Sequence, residues 1–66
     1  MDTAELANLL HETSEHHAQY EAIAPKLDWW DWYAAYMTAR QSGRTPEESS
    51  EAAKTYMEQA RGIHIA

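Results

Sequence analysis

The sequence contains no cysteine among its 66 residues. This absence excludes disulfide bonds and thiolate metal sites, and it gives no indication of an oxidising compartment. No apolar run approaches the roughly 20 residues that are needed to cross a bilayer. Acidic Asp2 and Glu5 stand where a secretory leader would carry basic residues. We therefore expect a cytoplasmic protein.

Basic residues are scarce: five Lys and Arg stand against eleven Asp and Glu, which gives a net charge of −6. No cluster of basic residues offsets this charge locally, so neither nucleic acid nor a membrane surface is an expected partner. Acidity alone says little about function, because six acids fall at predicted helix starts and complement the helix dipole there. They are Asp2, Glu5, Asp28, Asp31, Glu47 and Glu48.

Glycine and proline are also rare, with two residues of each, and all four mark predicted helix ends. Pro25 ends a first helix, and Gly43 provides the left-handed stop of a second. The segment Thr45 to Glu48 combines an N-cap, a proline at the first helical position and a capping-box glutamate. Gly62 then ends the third helix.

No segment alternates as a strand does, so we predict an all-α fold, a compact three-helix bundle that forms a single domain over residues 1–66. The predicted helices span residues 3–23, 29–42 and 46–61. The third repeats small or apolar residues at intervals of four and three, which is typical of a seam that packs on another helix. These residues are Ser49, Ala53, Tyr56, Ala60 and Ile63.

Residues 28–48, DWWDWYAAYMTARQSGRTPEE, resemble a helical segment of small actinobacterial proteins and of the tails of some glyoxalase and bleomycin-resistance relatives. The resemblance implies an accessory helical module. It carries no site residues, because the βαβββ units and metal ligands of that superfamily have no counterpart in this sequence.

The aromatic block of the second helix is its most unusual feature. Trp29, Tyr33 and Tyr36 share a stripe that we expect to form the core. Trp30 and Trp32 point about 160° apart on a helix, so one of them is expected on the surface. An aromatic cage for a cation, with Asp28 or Asp31 as counter-charge, is a weaker alternative. The predicted interaction face consists of Trp29, Trp30, Trp32, Tyr33, Tyr36 and Met37.

The first helix contains three pairs of a histidine and a glutamate four residues apart. They are His11 and Glu15, Glu12 and His16, and His17 and Glu21. The main interpretation is an acidic helix with His17 in the core, between Thr13 and Tyr20, where it bonds to a neighbouring tyrosine or backbone group. Two alternatives stay open: protonation of these histidines could sense pH, or imidazoles could bind zinc or nickel. The candidate metal ligands are His16, His17, Tyr20 and His64.

The sequence lacks a glycine-rich phosphate loop, and its serines stand in no signature of an activated nucleophile. It therefore favours a protein that is not an enzyme, and no cofactor is predicted. We predict a small protein-interaction or accessory module whose partner is a protein, such as a second copy bound through the aromatic face. The alternative function is that of a transition-metal or small-ligand-binding protein that uses the histidines of the first helix.

Overall fold

The computed structural model describes residues 2–23 and 29–62, which form three α-helices: α1 (Thr3–Glu21), α2 (Trp29–Gln41) and α3 (Pro46–Arg61). These residues contain no strand. The all-α three-helix bundle is therefore confirmed, although α1 ends two residues and α2 one residue before the predicted positions. The predicted connector 25–27 and the tail 63–66 lie outside the described residues.

The predicted caps hold the helix ends. The Asp2 carboxylate accepts a hydrogen bond of 2.8 Å from the backbone N–H of Glu5. At the start of α3, Thr45 and Glu48 form the predicted capping box, with each side chain accepting from the backbone N–H of the other. The hydrogen bond from the Thr45 backbone lowers the pKa of Glu48. Gly62 ends α3 in the left-handed conformation, at φ 68°.

Helix α2 is the central element, since it packs against both α1 and α3, whereas α1 and α3 contact each other little. Glu12 contacts Tyr36, and the later Tyr20 contacts the earlier Trp32, so α1 and α2 run antiparallel. Asp31 at the start of α2 contacts Arg61 at the end of α3, so α3 is antiparallel to α2 as well. The core cluster lies where the three helices meet. It contains Leu9, Tyr20, Trp32, Tyr36, Ala53 and Met57.

His17 is buried as predicted, between Thr13 and Tyr20 on the buried side of α1. Its ring packs edge-on against Trp32, with centroids 5.3 Å apart, and its Nδ1 lies 3.6 Å from a carboxylate oxygen of Glu21. The prediction that this histidine bonds to a tyrosine or to the backbone does not match that position.

The seam predicted for α3 is only partly correct. Ser49 and Ala53 are fully buried, but Met57 completes the buried row while Tyr56 is 43% exposed and Ala60 faces solvent. The row keeps a spacing of four throughout, which is one of the side-chain ridges along which helices commonly pack, and it turns by about 40° around the helix at each step. Ile63 lies outside the described residues.

Ser49 is expected to be replaceable by alanine with a gain in stability. Its hydroxyl is buried and has no hydrogen-bond partner among the described residues, and such a group costs about 1–3 kcal/mol of desolvation. Alanine also has the higher helix propensity. Urea denaturation followed by circular dichroism should show a higher midpoint for Ser49→Ala. Ser50→Ala, whose hydroxyl lies 3.0 Å from His16 Nδ1, should show no such gain.

Candidate interaction surface

The side chains of α2 divide into a buried and an outer face. Trp32, Tyr36 and Ala39 are buried. Because successive residues on a helix are about 100° apart, the opposite side carries a different set of residues. We call this set the outer face of α2: Trp30, Ala34, Met37, Thr38 and Gln41, all exposed except the half-buried Met37.

The outer face of α2 contains no charged residue, which sets it apart from the rest of the molecule. Helix α1 carries four glutamates and no Lys or Arg, and α3 carries four glutamates, one Lys and one Arg. In a chain with a net charge of −6, the exposed surface of α2 is thus the electrically neutral part. Depletion of charge, together with an exposed Trp and a half-buried Met that also packs against the core, is the composition of the centre of a protein–protein interface.

Two adjacent tryptophans stand at the beginning of α2. Trp29 is 52% and Trp30 is 53% exposed, and their rings meet edge-to-face with centroids 5.5 Å apart. Trp29 also contacts the Tyr33 ring at 4.9 Å. About half of each residue stays exposed, so a large aromatic surface faces outward.

The prediction that Trp29 belongs to the core is wrong, and Tyr33 is only half-buried. Of the predicted stripe, Tyr36 alone is fully buried. The reason is that α2 packs against both α1 and α3, and the contact with α3 buries the side of α2 that carries Trp32 and Ala39. Trp29 instead lies at the rim of a cleft of about 390 Å³ between α1 and α2, together with Leu10.

Trp32 and Tyr36, which the sequence placed in the interaction face, are 1% and 0% exposed. They form a stacked pair in the core, with ring centroids 5.2 Å apart, and so cannot contact a partner. The expectation that one of Trp30 and Trp32 lies on the surface is confirmed: it is Trp30. Of the predicted interaction face, Trp29, Trp30 and Tyr33 are the accessible aromatic residues, and Met37 is half-buried.

A carboxylate-centred cluster connects α1 to α2. Glu12 accepts hydrogen bonds of 2.7 Å from both the Tyr36 hydroxyl and Arg40 Nε, and a third of 3.3 Å from Arg40 Nη2. Arg40 also donates to the backbone carbonyl of Arg44. These partners are 24 and 28 residues from Glu12 in the chain, whereas the helical spacing of the sequence pairs Glu12 only with His16.

The cluster changes the pKa of each member. The hydrogen bonds from Arg40 lower the pKa of Glu12, with a smaller contribution from Tyr36. Burial, reinforced by the Glu12 carboxylate, raises the pKa of Tyr36. Glu12 is therefore an ionised acceptor at neutral pH, and Tyr36 stays a neutral donor. This arrangement fixes α1 on α2 and leaves no free base or nucleophile.

Arg61 near the end of α3 binds Asp31 in the first turn of α2, with Nε 2.9 Å from Oδ2 and Nη2 on the same oxygen. Both charged residues of α2 are thus paired within the chain, Asp31 with α3 and Arg40 with α1. An Asp31 engaged in this way does not act as the counter-charge of an aromatic cage.

The candidate metal ligands do not form a common site in the described part of the chain. Within residues 2–23 and 29–62 there is no group of three His, Asp or Glu side chains able to hold a metal ion. His16 lies beside Ser50 and its ring contacts Tyr36 at a tilt, whereas the His17 ring packs on Trp32 and Tyr33. His64, the remaining imidazole of that hypothesis, lies outside the described residues.

Comparison with known proteins gives no relative: no protein-family model, curated protein or solved structure matches this chain. The resemblance of residues 28–48 to actinobacterial helical segments thus stays a prediction. Among the described helices, none has the length and apolar character to cross a membrane.

Proposed function

We propose that this chain is a protein-interaction module that associates with a second copy of itself through the outer face of α2. The observation that carries the proposal is the half-exposed Trp30 on a helix face without charge, in a chain whose other helices are strongly acidic. Large aromatic residues at the centre of such faces contribute most of the binding energy in many interfaces.

A second copy suits this face better than a nucleic acid or a lipid surface. Both of those partners are anionic, and the chain repels them through its net charge of −6. Two copies repel each other as well, but least where α2 faces α2, because the acidic α1 and α3 then stay apart. We place the module in the cytoplasm, since a chain without cysteine needs no oxidising compartment.

Sedimentation velocity at about 5 µM and about 200 µM tests the proposal, because association shifts with protein concentration. We expect the sedimentation coefficient to rise with concentration in the wild type and to stay at the monomer value in Trp30→Ala. Ile23→Ala is the control: it removes a large apolar side chain of 64% exposure that lies beside His16 and Ser50, away from the outer face of α2, and it should associate as the wild type does. A monomer at both concentrations would refute self-association.

A further inference from the structure

The geometry of the outer face points to how two copies meet. Four of its residues, Trp30, Ala34, Met37 and Gln41, follow one another at intervals of four, three and four. This is the spacing of the a and d positions of a heptad repeat, which places them in a single line along a helix that packs on another helix. We call these four residues the α2 seam.

We infer that two copies pair through their α2 seams in antiparallel orientation, with Trp30 of each copy against Gln41 of the other and Ala34 against Met37. This inference rests on the proposed function and adds the orientation and register. In each opposed pair the two residue numbers have the same midpoint, 35.5. The two-fold axis therefore crosses α2 between Ala35 and Tyr36.

Side-chain size favours this orientation. In the antiparallel arrangement the large Met37 faces the small Ala34 twice, and each Trp30 faces a residue of intermediate size, so the layers can interdigitate. A parallel pair would set Trp30 against Trp30 and Ala34 against Ala34. The first layer would then be overfilled and the second would leave a void between the helices.

Charge favours it as well. The first turn of α2 carries Asp31 and the last turn carries Arg40. Antiparallel helices bring the acidic end of one copy near the basic end of the other, and their helix dipoles oppose. Parallel helices would bring like charges together at both ends. Both side chains already have partners of opposite charge within their own chain, so this charge effect is small and side-chain size is the main reason for the antiparallel orientation.

The chain's lack of cysteine makes cross-linking of single cysteine variants a direct test. Ala34 lies close to the proposed axis, so Ala34→Cys should form a disulfide-linked dimer under mild oxidation. Gln41 lies far from it: at 1.5 Å per residue, the two Gln41 Cα atoms are about 16 Å apart in an antiparallel pair, beyond the roughly 7 Å limit for a disulfide. Gln41→Cys should therefore not cross-link.

Ala18→Cys, at an exposed position of α1, measures the rate of cross-linking by random collision. At 50 µM protein we expect Ala34→Cys to link about tenfold faster than this control or more, because association raises the local thiol concentration toward the millimolar range. Gln41→Cys should match the control. Circular dichroism of each variant before oxidation verifies that it is folded.

The outcomes separate the inference from the proposed function. Rapid linking of both Ala34→Cys and Gln41→Cys would mean a parallel pair and overturn the antiparallel register. Collision-rate linking of Ala34→Cys in a chain that still sediments as a dimer would show that another surface mediates association. Collision-rate linking together with a monomeric sedimentation coefficient would refute both.

Discussion

Trp32→Ala is expected to abolish cooperative unfolding, whereas Trp30→Ala should leave the free energy of unfolding of the monomer within about 0.5 kcal/mol of the wild type. The two side chains are identical and stand two residues apart on α2. Trp32, however, is 1% exposed and Trp30 is 53% exposed. Because both variants remove the same side chain, the difference between their free energies of unfolding measures the effect of burial.

The large effect at position 32 follows from the size of the domain. Truncating a buried tryptophan costs about 3–5 kcal/mol, and a domain of this length has roughly 3–10 kcal/mol in total. Trp32 also contacts both other aromatic groups of the core, stacking on Tyr36 and packing on Tyr20 at 5.7 Å. Little of the bundle can adjust to the cavity.

Urea denaturation at about 5 µM, followed by circular dichroism, measures both variants at a concentration that keeps association small. Trp32→Phe provides a measurable intermediate, since it retains an aromatic ring and removes an indole N–H that has no partner among the described residues. We expect it to fold with a reduced midpoint. Equal losses for Trp32→Ala and Trp30→Ala would contradict the assignment of the buried and outer faces of α2.

The ends of the helices could be predicted from sequence because the signals are local. Thr45 and Glu48 satisfy each other's backbone over three residues, and a positive φ at Gly62 costs little without a side chain. Nothing beyond the neighbouring residues decides these positions. The three helices and their approximate limits follow from such signals alone.

The rotation of α2 about its axis could not be predicted in the same way. Aromatic residues at 29, 30, 32, 33 and 36 span an arc of about 160° of the helix circumference, so hydrophobicity alone does not decide which part of this arc is buried. The buried side is chosen by two packing partners at once, and the preference of α3 for Trp32 and Ala39 is a tertiary effect. The sequence predicts that one of Trp30 and Trp32 is exposed. The structure was needed to show that it is Trp30, and to identify the other surface residues of the site.

The Glu12 cluster is a second feature that sequence spacing missed. Glu12 has a histidine four residues away, which is the local pairing expected on a helix. It instead binds Tyr36 and Arg40, because these two residues of α2 follow each other at the same spacing of four and so present both donors to one carboxylate. A tyrosine and an arginine four apart, opposite a lone glutamate, is the signal that could have indicated this contact.

Glu12→Gln is expected to lower the free energy of unfolding at pH 7 by about 2 kcal/mol, since hydrogen bonds to a charged acceptor contribute roughly 1 kcal/mol more each than neutral ones. Glu15→Gln makes the same change in charge one turn away. Glu15 is exposed and has only His11 within ion-pair distance in the described structure, so this control should stay within about 0.5 kcal/mol of the wild type.

The same pair of variants should differ in acid. The folded-state pKa of Glu12 lies below its ordinary value of 4.5, so the unfolded chain takes up a proton there before the folded chain does. Stability from Glu12 is thus fully present above about pH 4.5 and is lost as the pH falls through the folded-state pKa. Urea midpoints measured from pH 7 to pH 3 should fall less steeply below pH 4.5 in Glu12→Gln than in Glu15→Gln. If the two curves ran parallel, the Glu12 carboxylate would not be the acceptor that joins α1 to α2.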